Sequence, residues 1–201
     1  MTDLRTIAAY DRCVGAYAEM IGDEPPHPTL INFATHLPAG GYVLDLGCGP
    51  AQASAYLRGR GFRADPVDAS PEMVRLANAT AAIGARCAEF DDIRVHDHYD
   101  GIWANFSLLH APADQLPALL QQLHRALKPG GLFHIAMKLG DGASRDKFDR
   151  LYTYYSQATL ECHVATAGFT RVETTLGNDL GLAGDIEPWI ALLCRASSLA
   201  G

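Results

Sequence analysis

The sequence predicts an α/β fold, a mainly parallel sheet covered by helices on both faces, with an antiparallel last strand. Three observations predict it. Short apolar runs alternate with stretches of helical periodicity, which is the pattern of strands joined by crossover helices. A glycine-rich turn, Gly47-Cys48-Gly49, joins the first such run to its helix. The last two runs have no helical stretch between them, so they read as a hairpin.

The elements follow in order. Leu4, Ile7, Ala8, Tyr10, Val14, Tyr17 and Ile21 recur at helical spacing and predict an amphipathic N-terminal helix. Asp23-Glu24-Pro25-Pro26-His27-Pro28 ends it, because proline lacks a donor and restricts the residue before it. Thr29 is placed to cap a second helix reaching His36 or Leu37. Tyr42–Leu46 reads as a buried strand, Ala51–Arg58 as a helix and Phe62–Asp68 as the next strand. Pro66 predicts a local irregularity there, since a central strand needs every amide donor. Ser70-Pro71-Glu72 gives a cap, a first-turn proline and an acid at the positive end of a helix. Strands are expected at Ala85–Ala88 and Tyr99–Ala104, then a helix from Asp114 whose apolar face is Leu116, Leu119, Leu120, Leu123 and Leu127. Lys128-Pro129-Gly130-Gly131 stops that helix before the strand Leu132–Met137. A helix over about Ser156–Ala167, closed by Gly168, precedes strands near Phe169–Leu176 and Trp189–Arg195.

Composition narrows the function classes. The 201 residues suit one domain, divided into a helical cap over residues 1–38 and a core over residues 39–201. The net charge is −7 and the charges are dispersed, so the clustered cations that nucleic acid binding needs are absent. No apolar run approaches the roughly 20 residues of a membrane span. The N-terminal residues lack the pattern of a secretory signal, and Cys13, Cys48, Cys87, Cys162 and Cys194 form no CxxC pair; reduced thiols in the cytoplasm are the expectation. His96 and His98 give an HxH spacing without further ligands nearby, so no metal site is expected.

Open α/β sheets bind ligands at the carboxyl ends of their strands, where the strand order reverses. Three strand tips carry suggestive residues. In the first, Asp45 precedes Gly47, Cys48 and Gly49, whose backbone can approach a ligand closely. Gln52 stands where the dinucleotide fingerprint requires a third glycine. A carboxylate at position 45 disfavours a pyrophosphate and suits an amino-acid tail bearing an ammonium group; the other reading is an acid that caps the turn. In the second, Asp68 lies 21 positions after Gly47, near the roughly 20 expected of an acid that binds a ribose. Ser70 already fills the cap position, which leaves Asp68 for the hydroxyls. The third tip is Asn105-Phe106-Ser107-Leu108-Leu109-His110, and with Asn105 and Phe106 it is expected to line the cleft opposite the first turn. His110 is either a general base or a loop histidine contacting backbone or cofactor.

Val43–Gly49, Val67–Met73, Tyr99–Ala104 and Leu127–Gly131 together resemble the class I S-adenosylmethionine-dependent methyltransferases. The resemblance implies a Rossmann-like, doubly wound, seven-stranded sheet. It implies that Asp45, Gly47 and Gly49, with Cys48 between them, hold the methionine part of S-adenosylmethionine, and that Asp68 holds the ribose. Ala69, Met73 and the segment Glu89, Phe90, Asp91 would lie by the adenine, with Tyr10 and Tyr17 closing over the cofactor or simply packing the helix. The implied function is in-line methyl transfer to a small molecule. A non-catalytic S-adenosylmethionine-binding protein and a nicotinamide-dependent oxidoreductase are the alternatives. The acceptor is expected between the N-terminal helix and residues 138–155, where Lys138, Arg145, Lys147, Arg150, Tyr152, Tyr154 and Tyr155 suggest a cationic, aromatic pocket for an anionic molecule, or a solvated loop. Oligomeric state is left open.

Overall fold

The computed structural model describes residues 3–21, 25–180, 184 and 186–197. The helices are α1 (Leu4–Ile21), α2 (Pro28–Thr35), α3 (Gln52–Gly59), α4 (Pro71–Ala81), α5 (Leu116–Ala126) and α6 (Gln157–Thr166). The strands are β1 (Tyr42–Leu46), β2 (Arg63–Asp68), β3 (Arg86–Cys87), β4 (Tyr99–Asn105), β5 (Leu127–Lys138), β6 (Ala143–Arg145), β7 (Leu151–Thr153), β8 (Phe169–Leu180) and β9 (Ile186–Ala196).

Seven strands form one sheet in the order β3-β2-β1-β4-β5-β9-β8. The pairings from β3 to β5 are parallel, and β9 runs antiparallel to both β5 and β8. This is the expected Rossmann-like sheet with an antiparallel last strand. The order reverses between β1 and β4, so a crevice opens at their carboxyl ends.

Alternation along the strands divides the core into two layers. Leu44, Leu46, Ile102, Ala104, Phe133, Ile135 and Leu192 pack with α5 and α6. Val43, Trp103, Leu132 and Leu193 meet Leu30, Phe33 and Leu37 of the α2 region and Leu57 of α3. The leucine face of α5 is buried as its spacing predicts: Leu116, Leu119, Leu120 and Leu123. Ser70 caps α4 by accepting from the Met73 amide at 3.1 Å, and Ser156 caps α6 through the Thr159 amide at 3.2 Å.

Pro66 does not disturb its strand, which keeps an unbroken register with β1 from Arg63 to Val67. The Val67 carbonyl accepts from Gly47 and Cys48 on the β1 side. By alternation the missing donor of Pro66 faces the β3 side, where pairing begins only at Val67. A second correction concerns α1. The periodicity selects Leu4, yet Leu4 is 70% exposed while Thr6 and Ala9 are buried. The third concerns residues 138–155, where β6 and β7 form a short antiparallel hairpin instead of an irregular loop.

Candidate active site

The first turn is shaped by backbone needs. Gly47 and Gly49 have φ of 74° and 51°, and the helix that follows begins at Ala51, itself left-handed at 62°. The turn is seated on β2 by the Gly47 and Cys48 amides, both 2.9 Å from the Val67 carbonyl. It is seated on β4 by Ser107, because a Cβ added at Gly47 would lie 2.4 Å from that of Ser107.

The second tip is built around Asp68. Its carboxylate accepts from the Gly49 amide and from the Ser70 amide, each at 2.8 Å, and so ties the first tip to the second. Burial pushes its pKa up, with the Ser70, Gly49 and Ala69 amides opposing. A carboxylate offers about four lone-pair sites, so these amides leave acceptor capacity for a hydroxyl donor. Asp11 of α1 reaches the same region, accepting from the Ser70 hydroxyl at 2.6 Å and the Glu72 amide at 3.3 Å.

The third tip carries Asn105, Phe106, Ser107 and His110. Phe106 sits at φ 53°, a strained value for a bulky residue that turns the chain across the crevice. The Ser107 hydroxyl is buried and has no hydrogen-bond partner. His110 is buried between α1 and β7. Its Nδ1 lies 2.5 Å from the Leu151 carbonyl and its Nε2 lies 2.8 Å from the Tyr10 hydroxyl. A carbonyl only accepts, so the ring proton is on Nδ1 and Nε2 takes the Tyr10 proton. Arg150 then donates to the Tyr10 oxygen at 3.3 Å. Burial is the main cause holding His110 at about 4, helped by Arg150 and Lys138, so the ring is neutral at physiological pH.

Together these residues line an open cleft at the tips of β1, β2 and β4. Of the expected residues, the structure brings Tyr10, Gly47, Gly49, Asp68, Ala69, Met73, Phe90, Asn105, Phe106 and His110 to its wall. Asp45, Cys48, Glu89 and Asp91 are not on that wall. The Asp45 carboxylate is turned behind the turn, where it accepts from the Ser54 amide at 3.1 Å and the Ser54 hydroxyl at 2.7 Å. It therefore caps α3 from outside the helix, a role Ala51 cannot perform. Cys48 packs toward Ala51, Ala77 and Ile83. Glu89 closes a capping box with Asp92, and Asp91 lines a separate surface depression with Arg94 and Arg125. The side chain of Tyr17 lies outside the described residues.

Thr6, Ile7, Ser70, Ala88 and Ser107 also line the cleft and are not in the expected set. Thr6 and Ile7 share a face with Tyr10 at i−4 and i−3, so helical spacing from Tyr10 was the signal for them. Ser107 had its place in the third tip, but its contact with Gly47 exists only through the fold.

Three of the four cations of the expected acceptor pocket, Lys138, Arg145 and Arg150, carry acidic partners. Arg150 donates twice to one Asp146 oxygen at 2.9 and 2.6 Å, Arg145 pairs with Asp3 at 3.0 and 2.6 Å, and Lys138 pairs with Glu187. Arg150 also lies over the Tyr10 and Tyr152 rings and Lys138 over Tyr152. The stretch is aromatic, but its charge is balanced where the anionic reading needs a surplus.

A crevice at a strand-order switch, with a glycine turn on one side and a carboxylate on the next tip, defines a nucleotide-type binding protein of the open α/β kind. Residues 43–131 match the family described as methyltransferase domain. Over that stretch, which is less than half of the chain, the sequence is similar to methyltransferases. It is 34% identical over 116 residues to a carboxy-S-adenosyl-L-methionine synthase of Chromohalobacter salexigens, covering 52% of this chain and 42% of that protein. It is 34% identical over 112 residues to a 2-heptyl-1-hydroxyquinolin-4(1H)-one methyltransferase of Mycobacteroides abscessus, covering 52% and 49%. The chain spans about half the length of these curated relatives. A 1,6-didemethyltoxoflavin-N1-methyltransferase of Burkholderia thailandensis, solved with 1,6-didemethyltoxoflavin and S-adenosylhomocysteine, has the same fold with a TM-score of 0.78. That match is 22% identical and covers 97% of this chain and 88% of the other.

Proposed function

We propose that this chain methylates a small, uncharged acceptor with S-adenosylmethionine bound across the tips of β1, β2 and β4. The observation that carries the reading is Asp68, buried at the second tip and bonded to both Gly49 and Ser70 with acceptor capacity to spare. The chain's own residues fit the group on two further counts. The Ser107 hydroxyl is a buried donor in want of a partner, and the flush contact at Gly47 leaves the main chain open to a ligand.

When bound, the cofactor supplies an electrophilic methyl group for in-line displacement. Asp68 holds the ribose hydroxyls, and Ala69, Met73, Ala88 and Phe90 form the apolar wall beside it. Gly47, Asn105 and Ser107 face the amino-acid tail. Asp45 works indirectly, by fixing the start of α3 and with it the turn. Tyr10 and Phe106 face the acceptor and exclude water, so that orientation, worth up to roughly 7–11 kcal/mol, does most of the catalysis.

His110 acts as a holder of Tyr10 and not as a general base. Placing a full proton on a ring held at about 4 costs about 4 kcal/mol at pH 7. The acceptor end of the cleft is lined by Ile7, Tyr10, Phe106 and neutral His110, and the nearby cations are matched by acids. An uncharged acceptor suits these walls. The relative of Mycobacteroides abscessus is named for a 2-heptyl-1-hydroxyquinolin-4(1H)-one acceptor, which is consistent with aromatic walls.

Calorimetry with S-adenosylmethionine and NAD tests the donor, and a metabolite screen with methyl-labelled S-adenosylmethionine tests the transfer. Binding of NAD without response to S-adenosylmethionine overturns the reading. Binding without transfer to any acceptor makes the chain a binding protein, and preference for anionic acceptors overturns the uncharged-acceptor assignment.

A further inference from the structure

His134 lies on β5, outside the wall of the cleft. It is buried, with its ring stacked on Trp103 of β4 at 3.7 Å and 15°. Phe33 of α2 meets it edge-on at 6.3 Å. Between these apolar rings the imidazole is neutral, because burial pushes its pKa down to about 3, with His27 adding to the effect. A neutral imidazole has one N–H to place. Its Nε2 is 3.1 Å from Oδ1 of Asn105, which is a pure acceptor, so the proton is on Nε2 and the bond runs from His134 to Asn105. Trp103, between them in register, blocks rotation of the ring.

Asn105 does line the cleft. An amide whose oxygen is engaged from behind turns its Nδ2 forward. The Asn105 amide on the cleft wall, near Gly47, suits an anionic group there, and the tail of the cofactor has a carboxylate.

We propose that His134 is a positioning residue, which locks the Asn105 amide so that its Nδ2 recognises the carboxylate of the bound cofactor's amino-acid tail. The proposal rests on the cofactor reading above. It makes the pair a determinant of donor specificity: a donor with a carboxylate is accepted and one without it is not. A rotamer held by a buried hydrogen bond and by packing on both faces is how a binding group is kept within the narrow geometry its function needs.

The test compares S-adenosylmethionine with decarboxylated S-adenosylmethionine, which lacks only that group, by calorimetry at pH 7.5. The wild-type protein is expected to prefer S-adenosylmethionine by about tenfold or more, as for a charge-assisted hydrogen bond. H134F keeps an aromatic ring on Trp103 and removes the donor. It is expected to narrow the preference to within about threefold, leaving the affinity for the decarboxylated compound almost unchanged. N105A should do the same, the double variant should do no more than N105A, and H134Q, whose amide can donate, should restore most of the preference. Equal weakening of both compounds in H134F, or an unchanged preference in both H134F and N105A, overturns the proposal. Asn105 is half-buried at the end of β4, and N105A together with H134Q serves should H134F fail to fold. Failure of the wild type to bind either compound would overturn the cofactor reading instead, so the two failures are distinct.

Discussion

Gly47 is under two demands at once. Its φ of 74° is a value that side chains with a Cβ adopt at a cost, and its missing Cβ leaves room for Ser107, 2.4 Å from where that atom would stand. G47A should therefore strain the turn and push the third tip away. Each effect costs about 1–3 kcal/mol, so a lowered melting temperature and loss of cofactor binding are expected together; a variant that melts and binds like the wild type would show the turn to be pliable. Asp68 makes a different demand, for acceptor capacity only. D68A removes the partner of two amides and of the ribose, and should weaken S-adenosylmethionine by about 1–3 kcal/mol in calorimetry. Undiminished affinity would place the ribose elsewhere. Asp68 was legible because its distance from Gly47 is a property of the chain. Ser107 and the capping role of Asp45 were not, because each depends on a partner supplied by another segment.

At the scale of elements, α1 is held over the cleft by polar fasteners more than by apolar area. Among its described side chains the inward face offers Thr6, Ala9 and Tyr10, with Ile7 the large aliphatic one on the cleft wall. Around them, Asp3 pairs with Arg145, Arg5 with Asp149, the Thr6 hydroxyl accepts from the Leu151 amide at 2.8 Å, and Asp11 meets Ser70. In the Asp3–Arg145 pair the bidentate guanidinium holds the Asp3 carboxyl down at about 2. Such an element can separate and re-seat without exposing a core. R145A should free it, with faster proteolysis within α1 and cofactor binding weakened by about 1 kcal/mol, while the denaturation midpoint of the sheet core barely moves. Equal protease resistance in R145A and wild type would mean that packing, not charge, seats the helix. The helix was legible from its period, but its inner face was not: amphipathicity favours Leu4, whereas the contact made is with a polar hairpin. That hairpin escaped detection because strands of three residues are too short to leave an alternation to read.

The whole molecule is the most legible level, because sheet order follows from rules of connection that the alternation of elements already satisfies. Its stability, by contrast, depends on titrations that only burial creates. His110 and His134 are held at about 4 and about 3, far below the 6.5 of an unfolded histidine. Between those values the unfolded chain binds protons that the native chain refuses, so acid favours unfolding. His110 faces Arg150, Lys138 and Asp146, and the two cations reinforce the effect that Asp146 opposes. His134 faces Asn105, Trp103 and Phe33, with His27 the titratable neighbour that adds to the effect of burial. Asp45 works in the opposite direction: burial raises it to about 6, so the native state takes its proton first and gains stability as pH falls from 6 toward 3.8. Asp68 is raised as well and adds to that gain. The histidines lose roughly 1.4 kcal/mol per pH unit each below 6.5, and below 6 Asp45 offsets about one of them. The net expectation is full stability above pH 7 and a loss of about 2 kcal/mol by pH 5, read from urea denaturation at the two values. Replacing one of the two histidines should leave Asp45 nearly matching the other. H134F is thus expected to lose less than half as much as wild type over the same interval. Equal losses in the two proteins would mean that His134 takes up a proton in the native fold, and its neutral, donating state would have to be abandoned with it.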